Sequence, residues 1–207
     1  MKVSVLTLGC KTNLSESDLF KSAVIEAGHK LASLEEQPDI CIINTCTVTA
    51  KADYQCRQLI RKALRKGAKR VIVTGCYAQH TPETIRKISP QIEVIPSDKK
   101  DNIINMLSDN TSSSLINIPR ARPFVKIQEG CDFRCSYCIV WKVRGRSRSV
   151  PQKEIIERVK ALEERGYLEV VLTGTHIGLY GKDISPEVSL YGLLVNLLKN
   201  TKKIRFR

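Results

Sequence analysis

No stretch of this chain approaches the roughly 18–20 consecutive apolar residues that a membrane-spanning helix needs, so no membrane partner is expected. The N-terminal MKVSVLTLGCKTN turns polar too early for a secretory signal, which makes the cytoplasm the expected compartment. No internal repeat of useful period is present. Hydrophobic residues are not scarce: 42% of the 207 residues are hydrophobic and 27% are charged, which excludes wholesale disorder. That length suits one or two domains.

Acidic residues are in short supply, and the shortage is local. Residues 51–70 hold eight Lys/Arg against Asp53 alone, a net +7, and residues 120–150 hold eight against Glu129 and Asp132, a net +6. Those two windows account for the whole formal excess of +13, and the rest of the chain balances. Positive charge held in two blocks suits a face that binds a polyanion, although a solvated lysine-rich surface gives the same count.

Short apolar runs at 3–8, 40–44, 71–74 and 92–95 alternate with helical stretches at 14–27, 49–66, 82–88 and 98–107. That alternation predicts a parallel sheet covered on both faces. A polar, Ser-rich stretch follows (SDNTSSSLIN), so a first domain is expected over 1–108, a linker over 109–122 and a second domain over 123–207. The second begins with a strand at 124–128, then a cysteine-rich loop, a helix at 152–165 and a strand at 170–173. A Gly-rich loop, a helix at 190–199 and the start of a third strand at 204–206 complete it. Three parallel strands cannot close a barrel.

Eight cysteines in a chain with no export signal are expected to be thiols, available as metal ligands. Cys131-x3-Cys135-x2-Cys138 places three within eight residues. A structural zinc site wants four protein ligands, whereas three thiolates suit a four-iron cluster whose fourth iron binds something else. A zinc site completed by a distant ligand, with His176 the nearest candidate, is the alternative. Cys10, Cys46 and Cys76 each come just after a predicted strand. In an open parallel sheet all strand C-termini lie on one edge, so these three are expected to converge into a second trio. Cys41, within a strand, and Cys56, within a helix, are expected to be structural.

The cysteine triad with Tyr137 before its third member resembles the cluster-binding signature of radical S-adenosylmethionine enzymes. GCKTN, NTCTVTAKAD, GCYAQ, FVKIQEGCDFRCSYC, RGRSRS and EVVLTGTHIGLYG resemble, in order, the segments of the methylthiotransferase family. The resemblance implies an α/β fold, with an N-terminal flavodoxin-like parallel-sheet domain followed by the first part of a radical (β/α) partial barrel. It implies two [4Fe-4S] clusters, on Cys10, Cys46 and Cys76 and on Cys131, Cys135 and Cys138. The second would bind S-adenosyl-L-methionine and, on one-electron reduction, release a 5′-deoxyadenosyl radical. A further S-adenosylmethionine would supply methyl. The product is a methylthio group in place of hydrogen on an unactivated carbon, chemistry that the cofactors carry.

Within the family the segments look closest to the branch acting on N6-threonylcarbamoyladenosine 37 of tRNA. Other branches act on isopentenyladenosine tRNA or on an aspartate of a ribosomal protein. The implied partners are a tRNA anticodon loop, an electron donor and a sulfur source. Arg144, Arg146 and Arg148 are candidate phosphate contacts, with a solvated turn as the plain alternative. Tyr137, Thr173 and Gly174 are candidate S-adenosylmethionine contacts. Trp141 departs from the family, which commonly has a proline there. The family barrel also continues for three more strand–helix units and a small β domain. The chain is therefore expected to be partial, able to bind clusters but poor in turnover, or a non-catalytic cluster-bearing RNA-binding protein.

Overall fold

Apolar β-branched runs set the strands of the first unit, and the helices between them cover both faces. A computed structural model describes residues 1–107 and 120–207; of the expected linker, 109–122, residues 109–119 lie outside them. The chain divides between Asn117 and Ile118 into two compact units.

The first unit runs β1 (Lys2–Thr7), α1 (Lys11–Glu26), β2 (Lys30–Leu31), β3 (Ile40–Thr45), α2 (Ala50–Arg65) and β4 (Arg70–Gly75). It continues through α3 (Cys76–His80), α4 (Pro82–Arg86), β5 (Ile92–Val94) and α5 (Asp101–Leu107). All pairings are parallel, in the order β2-β1-β3-β4-β5. This is the flavodoxin-like order, whose topological switch point lies between β1 and β3. β3 is buried along its whole length, as a strand covered on both faces must be. Cys41, Ile43, Val71 and Val73 pack toward α2 through Cys56, Ile60 and Ala63. Ile40, Ile42 and Ile72 pack on the other side with Phe20, Val24 and Ile103.

The second unit runs β6 (Phe124–Glu129), α6 (Val140–Arg144), β7 (Arg148–Ser149), α7 (Gln152–Glu164), β8 (Glu169–Gly174), α8 (Leu190–Asn200) and β9 (Arg205–Phe206). Its sheet has the order β7-β6-β8-β9. β6, β8 and β9 are parallel, the opening strands of a partial barrel, whereas β7 is antiparallel to β6. The expected all-parallel sheet thus gains a fourth, antiparallel strand, cut from the basic RGRSRS stretch. The chain is α/β throughout. Among the described residues no helix is long and apolar enough to cross a membrane.

Candidate functional site

Sheet register brings the first cysteine trio to one edge. Thr45 on β3 is level with Gly75 on β4, so Cys46 and Cys76, each the next residue, leave adjacent strands at the same height. Cys10 follows β1, on the other side of β3, three residues beyond Thr7. Cys10 and Cys46 therefore flank the switch point, where open α/β sheets build their sites. The buried Asn13 amide donates to Leu8 O at 3.0 Å and to Thr45 O at 2.8 Å, and its Oδ1 accepts from Cys10 Sγ at 3.5 Å. One side chain thus ties the loop after β1 to the end of β3. A Cβ on Gly9 would stand 2.9 Å from Cys46 Cβ, so glycine is what lets these loops meet. Behind them, Asn44 Nδ2 donates to Asn13 O and Ser17 Oγ, and Lys100 reaches Glu16 at 2.6 Å in a buried ion pair. Cys10 is exposed; Cys46 and Cys76 are buried.

The second trio lies on the loop between β6 and α6, with Cys135 exposed and Cys131 and Cys138 half-buried. The loop turns where Cys138 N donates to Cys135 O at 3.1 Å. It is fastened to the 144–147 segment. Cys131 N donates to Gly145 O at 3.0 Å, Ser147 N donates to Asp132 Oδ1 at 3.2 Å, and Arg144 Nη1 sits 2.7 Å from Glu129 Oε1. Gly130 has φ +76°, and a Cβ there would overlap Arg146 O at 1.9 Å; only glycine fits. Gln128, fully buried, donates through Nε2 to Gly130 O at 2.7 Å and Ser147 Oγ at 2.9 Å, while its Oε1 accepts from His176 N at 2.8 Å. Sequence reasoning missed Gln128. The strand gave no signal for it, since alternation puts Gln128 in phase with Lys126 and its burial follows a register shift between the two.

The remaining expected residues separate. Tyr137 is 91% exposed. Thr173 is buried near the end of β8. Gly174 is packed: a Cβ would stand 2.8 Å from Gln128 O, so strand contact already explains the glycine. Arg146 and Arg148 are exposed, but Arg144 is 5% exposed and paired with Glu129, a clamp and not a surface cation. His176 Nδ1 lies 3.9 Å from Cys131 Sγ, and its ring stands against Phe133. Cys41 and Cys56 are fully buried, and burial pushes both thiols up to about 12.

The cysteines of each trio are in no disulfide, and thiolate is the ligand type that iron–sulfur clusters use. Among the described residues no three His, Cys, Asp or Glu side chains are set to hold a metal ion. A four-iron cluster, in which each thiolate takes a different iron, asks for wider spacing than one zinc ion. The first trio stands at strand ends on one sheet edge and the second on a loop pinned on both sides, and thiolate is the donor type that iron–sulfur clusters use.

A family described as "Uncharacterized protein family UPF0004" matches residues 2–97, and one described as "Radical SAM superfamily" matches residues 125–206. The chain is 36% identical over 220 residues to a protein of Aquifex aeolicus named threonylcarbamoyladenosine tRNA methylthiotransferase MtaB. That match covers 96% of this chain and 53% of the relative. The protein of that name from Bacillus subtilis is 34% identical, with 98% of this chain and 50% of the relative covered. An Aquifex aeolicus protein named ribosomal protein uS12 methylthiotransferase RimO is 32% identical, covering 96% and 47%. The chain thus spans about half the length of the curated relatives it matches. Among solved structures, the radical S-adenosylmethionine methyltransferase TsrM of Kitasatospora setae shares the fold. Its TM-score is 0.58 at 14% identity, over 96% of this chain and 50% of that one.

Proposed function

The chain belongs to the methylthiotransferase family of radical S-adenosylmethionine proteins, and from that premise we propose that it serves the 2-methylthiolation of N6-threonylcarbamoyladenosine 37 in tRNA. The observation that carries this reading is the pair of cysteine trios outside any disulfide, one at three strand ends of the first sheet and one on the loop after β6. The Aquifex and Bacillus relatives named for threonylcarbamoyladenosine support that substrate. The relative named for ribosomal protein uS12 supports a second reading, in which the acceptor is a protein aspartate.

Cys131, Cys135 and Cys138 would hold one [4Fe-4S] cluster, and Cys10, Cys46 and Cys76 a second. A reduced cluster with one open iron, supplied with S-adenosylmethionine, gives the one-electron chemistry that an unactivated C–H bond requires, since no general base can take that hydrogen. Everything else falls to the chain's own residues. Gln128 and the Arg144–Glu129 pair hold the cysteine loop in one path. Asn13 holds the loop of Cys10 against the end of β3. Tyr137, Thr173 and Gly174 would be the contacts for S-adenosylmethionine, and Arg146 and Arg148 those for RNA phosphate. An electron donor and a sulfur source complete the reaction.

The test is the nucleoside content of tRNA from cells with and without the gene, read by mass spectrometry. The methylthio form of threonylcarbamoyladenosine should vanish with the gene and return with it. Loss of a methylthio group from ribosomal protein uS12 instead would move the assignment to the second reading.

A further inference from the structure

The second basic block divides sharply between paired and unpaired charge. Arg144 and Lys126 are both held by Glu129, and Arg122 reaches Glu169. Arg134, Lys142 and Arg146 are exposed and make no ion pair with a described residue. These three line one open pocket of about 600 Å³ beside Cys131 and around Trp141, the chain's only tryptophan. The Arg134 guanidinium stands 5.5 Å from the indole centroid and the Lys142 ammonium 5.2 Å, so one ring collects two cations. Asp132, the one acid of the lining, has an oxygen engaged by Ser147 N–H. Three like charges gathered around a cavity repel one another, and the energy falls when an anion enters.

We propose that this pocket is a phosphodiester subsite for RNA, in which Arg134, Lys142 and Arg146 contact backbone phosphate next to the cluster loop and Trp141 fixes the first two. This rests on the tRNA reading above and joins Arg146, a candidate from the sequence, to Arg134 and Lys142, which the sequence did not single out. Trp141, with two cations beside its ring, is the residue that makes the platform. The subsite lies on the loop that carries Cys131, so phosphate held there sets a nucleotide beside the reacting centre. The volume lies within the ordinary range of ligand pockets, roughly 300–1,000 Å³.

The sole tryptophan makes the test direct. A short RNA hairpin with an unpaired loop is titrated into the iron-loaded chain, following Trp141 fluorescence and, separately, gel mobility. Both should saturate together. Arg134→Ala with Lys142→Ala should weaken binding and flatten the log–log salt dependence by roughly 1.4, about 0.7 for each phosphate no longer neutralised. Lys153→Ala with Lys160→Ala, which removes equal charge from α7, should leave that slope unchanged. RNA binding with silent fluorescence and an unchanged slope in the pocket variant would overturn the subsite while leaving the tRNA reading intact. Equal flattening by the α7 variant would do the same, because the effect would then be diffuse charge. A response to S-adenosylhomocysteine or to polyglutamate but not to RNA would reassign the pocket to the cofactor or to an acidic protein segment. No RNA binding by either readout would overturn the subsite, whereas the tRNA reading stands or falls on the nucleoside content of tRNA.

Discussion

Gln128 joins three segments through one buried side chain. Its amide holds the cysteine loop at Gly130, the basic segment at Ser147 and the loop after β8 at His176. Replacing it by alanine strands a carbonyl and a hydroxyl in buried surroundings and a part-buried N–H. Gln128→Ala should therefore cost about 2–3 kcal/mol, read as a lowered denaturant midpoint at unchanged slope. An unchanged midpoint would show that the loop holds its path without it. The cysteines divide as sharply. With thiols pushed up to about 12 by burial, Cys41 and Cys56 hold roughly one thiolate in ten thousand near pH 8. Iodoacetamide on the iron-free chain should label the exposed Cys10 and Cys135 first, and Cys41 and Cys56 only after denaturation, as peptide mass spectrometry would record.

At the scale of elements, the RGRSRS stretch does two jobs that its composition conceals. Arg144 ends α6 and clamps Glu129, while Arg146 and Arg148 face solvent. Arg144→Ala should destabilise the second unit by about 1–2 kcal/mol, because Glu129 loses its buried partner but keeps Lys126, with little change in RNA salt dependence. Arg146→Ala with Arg148→Ala should change stability by less than about 0.5 kcal/mol and flatten that dependence. Thermal unfolding and a salt titration separate the two outcomes. The strands that position the thiols were legible because parallel strands buried on both faces read as continuous apolar runs, as in Ile40–Thr45. Their order was legible only as an alternation; the register that sets Cys46 level with Cys76 comes from the paired backbone. β7 was not legible, since a two-residue edge strand in an Arg/Ser run has no apolar pattern. α6 was hidden for a similar reason, being five residues long with no capping side chain. The burial of Arg144 depends on Glu129, fifteen residues away, which no local pattern encodes.

Across the whole molecule, each unit carries one thiol trio and one basic block. The first block is also partly neutralised: Lys66, Lys69 and Arg70 pair with Glu35, Asp39 and Glu93, leaving Lys51, Arg61, Lys62 and Arg65 on the exposed face of α2. The +7 of residues 51–70 therefore overstates the cationic surface of that block, because three of its cations are met by acids outside the window. Chemistry of the kind proposed needs both trios loaded, one for S-adenosylmethionine and one for sulfur. Iron and acid-labile sulfide, counted after anaerobic reconstitution, measure this directly. Two loaded trios predict about eight irons and eight sulfides per chain, two four-iron clusters, with Cys135→Ala and Cys76→Ala each removing about half. About four irons that only one of the two substitutions removes, or zinc in place of iron, would contradict the two-cluster chemistry.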